Sequence, residues 1–193
     1  MATLTRSDLY SLEKYAEVRD NYRAAVIAHK KNRRLALNPH MTLYFEDAVT
    51  VQYQIQEMLR IERVFEAAGI QAELDVYNPM IPDGHNWKAT FMIEYSDPAE
   101  RKRALADLIG VERQVWLQVA AYEPVYAIAD EDLARTALDK TASVHFMRFE
   151  LTPDLCAALK KGAGLRAGID HPAALGQCDV PDNVHISLIG DLV

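Results

Sequence analysis

Residues 143–162, SVHFMRFELTPDLCAALKKG, place a strand directly before a helix. Apolar and polar side chains alternate from Ser143 to Leu151, which is the period of a strand with one buried face. Thr152 and the proline after it then begin a helix that is predicted to run through Lys161, with Gly162 after its end. Two different periods in one short stretch predict a protein that mixes helices and strands.

The same two periods appear on both sides of this stretch. Further strands are predicted at 40–45, 87–95, 115–120, 125–129 and 165–169, and further helices at 99–109, 130–138 and 181–192. The elements do not follow a strict strand–helix–strand alternation, and no glycine-rich phosphate-binding motif follows a predicted strand. We therefore expect an α+β fold in which one largely antiparallel sheet is packed by several helices.

The stretch 46–68 fits either period. Its apolar residues first alternate as in a strand and then recur at helical spacing. More than twenty residues without Gly or Pro favour a helix, because strands are usually much shorter. We therefore predict one long helix near residues 48–68, with Asp47 as its N-cap and Gly69 as its C-cap.

The first 38 residues are predicted to form an N-terminal helical arm. Apolar side chains recur there at helical spacing, and a run of positive residues falls on the last turn, where it complements the helix dipole. Asn38 and Pro39 then end the arm. With its length and its mixed elements, the chain is expected to form a single α+β domain over residues 1–193.

The composition argues against several functional classes. The 193 residues include 21 Lys and Arg against 28 Asp and Glu, a net charge of −7, so the long-range field repels the phosphates of nucleic acids and of anionic lipids. No apolar stretch has the length of a signal peptide or of a membrane span. The cysteines, Cys156 and Cys178, form no CxxC pair. We therefore expect a cytoplasmic protein with no membrane partner, for which nucleic acid is an unfavourable ligand.

A metal site is one candidate for the chemistry of this chain. No helix carries the HExxH or ExxH spacing that puts two ligands on one face, so the ligands would have to come from separate segments. The candidates are His40, Glu57, His145, Asp170 and His171. Neutral imidazoles beside carboxylates suit a divalent metal such as zinc or iron. The alternative is that each of these side chains is hydrogen-bonded separately at the end of a strand.

An anion site is a second candidate. His29, Lys30, Arg33 and Arg34 lie close enough in sequence for some of them to share a helical face and converge on a phosphate or carboxylate. Asn78 and Asp83, in a proline-rich loop, are candidates for the same pocket. The basic run also fits a solvated helix end or a docking patch for an acidic protein.

Covalent catalysis is less favoured. Cys156 falls within a predicted helix among apolar neighbours, and the carboxylate of Asp179 beside Cys178 would disfavour its thiolate. No GxSxG motif marks a serine nucleophile. The residues alone therefore leave open whether the protein is an enzyme.

Six segments of the chain resemble the bacterial family called domain of unknown function 3501. They are HKKNRR from His29, LYFED from Leu43, VQYQIQEMLRIERVFEAAGI from Val51, YNPMIPDG from Tyr77, HFMRFELTP from His145 and GIDHP from Gly168. Genes of that family are often found beside those for a rubrerythrin-like diiron protein and an iron–sulfur protein similar to a heterodisulfide reductase subunit. The resemblance thus implies a single domain and a role beside redox proteins, and it supplies no catalytic residues.

Three functional hypotheses follow. The first is a cytoplasmic accessory or binding protein that serves an oxidative-stress or electron-transfer system, with the rubrerythrin-like and iron–sulfur proteins as partners. The second is a metal-dependent enzyme with a His and carboxylate site. The third is a binder of small anionic ligands such as phosphate or a carboxylate. The oligomeric state is left open.

Overall fold

The computed structural model describes residues 3–129 and 140–193. Within these residues the helices are α1 Leu12–Lys30, α2 Ala48–Glu62, α3 Ala67–Tyr77, α4 Pro98–Asp107, α5 Pro153–Lys160 and α6 Asp182–Ile189. The strands are β1 Arg34–Asn38, β2 Met41–Phe45, β3 Asn86–Ile93, β4 Val115–Val119, β5 Val125–Tyr126, β6 Val144–Glu150, β7 Leu165–His171 and β8 Ala174–Asp179. The helix predicted at 130–138 lies outside the described residues.

The strands form two antiparallel sheets of four strands each. Sheet A has the order β1-β2-β3-β6, and sheet B has the order β5-β4-β7-β8. The predicted α+β class and antiparallel pairing are confirmed, whereas the prediction of one sheet is wrong because the strands divide into two. The sheets meet where Ile128, just after β5, pairs with Arg148 of β6.

One hydrophobic core joins the two sheets. Its buried side chains include Leu43 and Phe91 from sheet A and Leu117 and Ala167 from sheet B. Helices α4, α5 and α6 also contribute buried side chains to this core. The indole of Trp87 donates a hydrogen bond to the Leu188 carbonyl at 2.9 Å, which fixes α6 against sheet A.

The predicted long helix near residues 48–68 is two helices. Helix α2 ends at Glu62, because Arg63 adopts a left-handed conformation with φ of 54°, and α3 then begins at Ala67. Gly69, expected as a C-cap, lies inside α3. The break lets α3 turn back against α2, and the two helices bury a small separate cluster that includes Val51, Ile55, Leu59 and Leu74.

The predicted helical arm also differs from the structure. Helix α1 begins after its N-cap Ser11 and ends at Lys30, and a short 3-10 turn follows at Lys31–Arg33. Residues 34–38 are not helical, because they pair with β2 as the edge strand β1. The backbone hydrogen bonds of a sheet replace those that one more helical turn would make. Strand β8 was missed altogether.

Within residues 3–129 and 140–193, no helix combines the length and the apolar character needed to cross a membrane.

Candidate functional site

The floor of the candidate site is the face of sheet A that points away from the hydrophobic core. The strand register places Tyr44, Thr90 and Phe146 in one cross-strand row. Met92 and Val144 pair in the next row on the same face of the sheet. The residues on either side of them in sequence point into the core, because successive side chains of a strand lie on opposite faces. All five side chains therefore face a cleft outside the core.

Helices α2 and α3 and the turn after α3 cover this floor. Thr50, Val51 and Gln54 of α2 line one wall, and Tyr77 and Met80 line the other. The cavity between them has a volume of about 460 Å³, and an adjacent one of about 210 Å³ shares several of the same lining residues. Volumes of a few hundred cubic ångströms are typical of sites for small molecules.

Glu46 lies at the junction of the two cavities. It follows β2 directly, and its backbone N–H donates to the Lys88 carbonyl at 2.8 Å, which holds the residue against β3. The Thr90 hydroxyl donates to one carboxylate oxygen at 2.7 Å, and the Thr50 hydroxyl donates to the other at 2.5 Å. Both hydroxyls are buried, so the carboxylate is held in one orientation within a largely apolar cleft.

The four side chains of the basic run do not converge on one point. Arg33 is 2% exposed, and its guanidinium donates to the Phe45 and Glu46 carbonyls, to Ser187 and to Asp191. These acceptors occupy all three of its nitrogens. Arg33 therefore acts as a structural anchor rather than as a binding group.

The other members of the basic run point in different directions. His29 lies 2.6 Å from the Asp47 carboxylate. The ammonium of Lys30 lies over the ring of Tyr53, 5.6 Å from its centroid. Arg34 is exposed on the edge strand β1, and its guanidinium lies over the ring of a tyrosine on β2.

The two candidates from the proline-rich loop are also separate. The Asn78 side chain pairs with the backbone of Leu4, accepting from its N–H and donating to its carbonyl at 2.9 Å each. Asp83 accepts from the backbone N–H of His85 at 3.0 Å in a local turn. Their neighbours Tyr77 and Met80, rather than these polar residues, line the cleft.

Glu57, a predicted metal ligand, joins α1 to α2. Arg19 donates to both of its carboxylate oxygens at 2.8 and 2.9 Å, and the hydroxyl of Tyr15 donates at 2.7 Å. The hydrogen bonds from Arg19, with those from Tyr15 and Arg60, lower the pKa of Glu57 to about 2. Burial, together with Glu57, raises the pKa of Tyr15.

The three histidines among the predicted metal ligands have separate environments. His40 stacks on the ring of Tyr95 at 4.0 Å between centroids. His145 is fully buried, and its Nε2 lies 2.9 Å from the Ala142 carbonyl and 3.0 Å from a threonine hydroxyl. His171 Nε2 lies 3.2 Å from the Ile109 carbonyl.

Asp170 belongs to sheet B. Its two oxygens accept from the Trp116 indole at 2.9 Å and from the Tyr126 hydroxyl at 2.6 Å. Within residues 3–129 and 140–193, no three His, Cys, Asp or Glu side chains form a group that could hold a metal ion. The structure therefore does not bring the five predicted ligands together, and the separate hydrogen bonds weighed as the alternative are what it shows.

Sequence reasoning missed the residues that do meet. Glu46, Thr50 and Thr90 come from three elements, and no local motif connects them. A signal was present in the alternation of β2 and β3, which put Tyr44 and Thr90 on the face opposite the core. That pattern alone did not show that helices would pack over this face and leave a cavity between.

Comparison with known proteins shows similarity over the whole chain. The model of a family described as "Protein of unknown function (DUF3501)" matches residues 3–192. A crystal structure described as a novel protein of unknown function from Burkholderia pseudomallei is 51% identical, covers 100% of both chains and has a TM-score of 0.94. Among curated proteins, no sequence matches. Neither description names an activity or a ligand.

Proposed function

Since the chain belongs to the family described as "Protein of unknown function (DUF3501)", whose description states no activity, we propose a function from the cleft itself. The protein binds a small, mostly apolar organic molecule between sheet A and helices α2 and α3. The family resemblance already favoured a binding or accessory protein, and the cleft gives that hypothesis a location.

The lining of the cleft supports this proposal. Tyr44, Tyr77 and Phe146 supply aromatic surface, and Met80 and Met92 supply flexible thioether side chains. Such side chains make favourable apolar contacts and adapt to the shape of a ligand. Sites for small molecules typically combine apolar walls with a few fixed polar groups.

The single observation that carries the proposal is the carboxylate of Glu46. A charged group in an apolar cavity costs free energy unless it is paired or hydrogen-bonded. Two buried threonine hydroxyls stabilise the carboxylate and fix its direction. A carboxylate kept in this place is well suited to hold one polar group of a bound molecule.

The experiment fills the cleft. Val144→Trp adds a large side chain to the floor, and Leu175→Trp is the matched control at a 72% exposed position on β8. We expect a panel of small aromatic and aliphatic compounds to raise the Tm of the wild-type protein and of the Leu175→Trp variant. The same compounds should give no shift with the Val144→Trp variant.

Two results would count against the proposal. One is a panel that shifts the Tm of none of the three proteins. The other is a set of shifts in the Val144→Trp variant equal to those of the wild type, because the ligands would then bind elsewhere. A far-ultraviolet circular dichroism spectrum matching the wild type is required before the variant is compared.

We also propose that the protein acts as an accessory to an oxidative-stress or electron-transfer system. The family resemblance alone supports this part of the proposal. In this hypothesis the protein is cytoplasmic, which agrees with its two free cysteines, and it contacts a rubrerythrin-like diiron protein or an iron–sulfur protein. Affinity capture with the full chain at low salt tests the hypothesis. Recovery of either protein supports it, and recovery of neither argues against it.

A further inference from the structure

We infer that the ligand of the cleft is an organic cation, with an apolar body and one protonated amine that lies against Glu46. This inference rests on the proposed binding function and adds the chemical class of the ligand. The juxtaposition that carries it is a fixed carboxylate beside aromatic and thioether side chains in one cavity.

The carboxylate of Glu46 has unused capacity for hydrogen bonds. Each of its two oxygens accepts one hydroxyl, from Thr90 and from Thr50. A carboxylate offers about four acceptor positions, so one remains on each oxygen. In the part of the chain that the structure describes, no arginine, lysine or histidine forms an ion pair with Glu46. A protonated amine supplies both the missing charge and up to three N–H donors.

The cations that line the two cavities are directed elsewhere. The guanidinium of Arg33 is occupied by backbone carbonyls and by Asp191. Lys88 donates to the Pro79 carbonyl at 2.6 Å, and Arg148 pairs with Glu150. Lys30 lines the larger cavity, while its ammonium lies over the Tyr53 ring, which is not part of the lining. The charge of Glu46 is therefore left for a ligand.

The walls of the cavity favour the same class of ligand. Tyr77 and Phe146 carry rings whose faces attract cations, whereas the Tyr44 ring already has the Arg34 guanidinium over it. The sulfur atoms of Met80 and Met92 are polarizable and accommodate the apolar body. The net charge of −7 further attracts a cation to the protein and disfavours an anion.

The experiment compares three probes that share one apolar body: 3-phenylpropylamine, 3-phenylpropanol and 3-phenylpropanoate. Calorimetric titration of the wild-type protein at neutral pH should give a Kd for the amine about tenfold lower than for the alcohol, as expected for a charge-assisted hydrogen bond. The carboxylate should bind most weakly. Rising ionic strength should weaken binding of the amine more than binding of the alcohol.

Matched variants locate the effect. Glu46→Gln keeps the shape and removes the charge, so the amine and the alcohol should bind with the same affinity within about twofold. Glu94→Gln removes one negative charge from an exposed position just after β3 and should keep the tenfold preference. If Glu46→Gln fails to fold, the comparison of amine with alcohol and its salt dependence in the wild type still tests the inference.

The outcomes separate this inference from the proposed function. If the alcohol or the carboxylate binds the wild type as tightly as the amine, the ligand is not an organic cation. The proposed binding in the cleft still stands in that case, provided that Val144→Trp abolishes binding of these probes. A preference for the amine that persists in Glu46→Gln also overturns the inference. Failure of all three probes to bind overturns the organic cation, and the proposed binding function falls with it only when the compound panel also shifts no Tm.

Discussion

The Arg33 guanidinium and the Asp191 carboxylate, 158 residues apart in the sequence, form a two-point ion pair with nitrogen–oxygen distances of 3.2 and 2.5 Å. The same guanidinium lies 3.3 Å from Asp47, the N-cap of α2. Burial raises the pKa of Asp191, and Arg33 opposes that shift. The pair therefore joins the segment after α6 to the start of both sheet A and the helix that covers the cleft.

Arg33→Met is expected to destabilise the protein by about 3 to 5 kcal/mol, because removal of one partner leaves a buried carboxylate unpaired. Chemical denaturation at neutral pH measures the change in the free energy of unfolding. Arg34→Met is the control, since Arg34 is exposed and should change stability by less than about 0.5 kcal/mol. Equal effects of the two substitutions would show that Arg33 is not the anchor.

Glu57 is expected to make stability depend on pH in the acid range. Its pKa is lowered from 4.5 to about 2, so the ionised carboxylate stabilises the fold above about pH 4.5. That contribution is lost as the pH falls toward 2. Glu57→Gln should lower stability at pH 7 by about 1 to 2 kcal/mol and reduce the pH dependence of unfolding between pH 4.5 and 2. An unchanged acid profile in this variant would contradict the assignment.

Gly168→Ala is expected to disturb sheet B. A Cβ at this position would lie 2.3 Å from the Trp116 ring and 2.8 Å from the Gly176 carbonyl oxygen. The ring must therefore move, at a cost of about 1 to 3 kcal/mol. Tryptophan fluorescence reports the displacement, and denaturation reports the loss of stability. Gly164→Ala is the control, because no atom lies within 4 Å of a Cβ there, and a similar loss in that variant would refute the contact.

Lys30→Gln is expected to strengthen binding of 3-phenylpropylamine about twofold. Lys30 lines the cleft, so its removal relieves repulsion between two positive charges. Calorimetric titration at low ionic strength measures the change. Lys31→Gln removes the same charge from an exposed neighbour that does not line the cleft and should leave the affinity unchanged. Weaker binding after Lys30→Gln would be incompatible with a cationic ligand.

Local patterns in the sequence predicted much of the fold. The alternation from Val144 to Glu150 gave β6 and placed His145 on its buried face. Thr152 was predicted as the cap of α5, and its hydroxyl accepts from the Leu155 N–H. These features depend on neighbours a few residues apart, so the sequence contains them directly.

The break after α2 was not predictable in the same way. Residues 48–68 contain neither Gly nor Pro, and the left-handed turn falls on Arg63. Such a turn is uncommon for a residue with a Cβ. Burial of Leu74 against α2 accompanies it, and that contact forms only when the two helices pack together.

The candidate site also divides into features that the sequence predicted and features that only the packing of distant segments decided. Charge and residue type pointed to Arg33, Glu57 and His145, because these residue types so often form sites. Arg33 and Glu57 are instead occupied by partners from distant segments, and His145 by the threonine and alanine just before its strand. Glu46 was not among the predicted site residues, because nothing within a few residues of it reveals that the Thr90 hydroxyl would contact its carboxylate.

The sequence by itself determined the family, the α+β class, most of the strands and the faces that they bury. Periods of two and of about 3.6 residues are local properties, and a single stretch is enough to express them. Only the tertiary structure decided that the strands form two sheets, that Arg33 is an anchor and that Glu46 faces a cleft between sheet A and the helices. Those outcomes depend on which distant surfaces pack together, and such packing is settled by the sum of many weak contacts across the whole molecule.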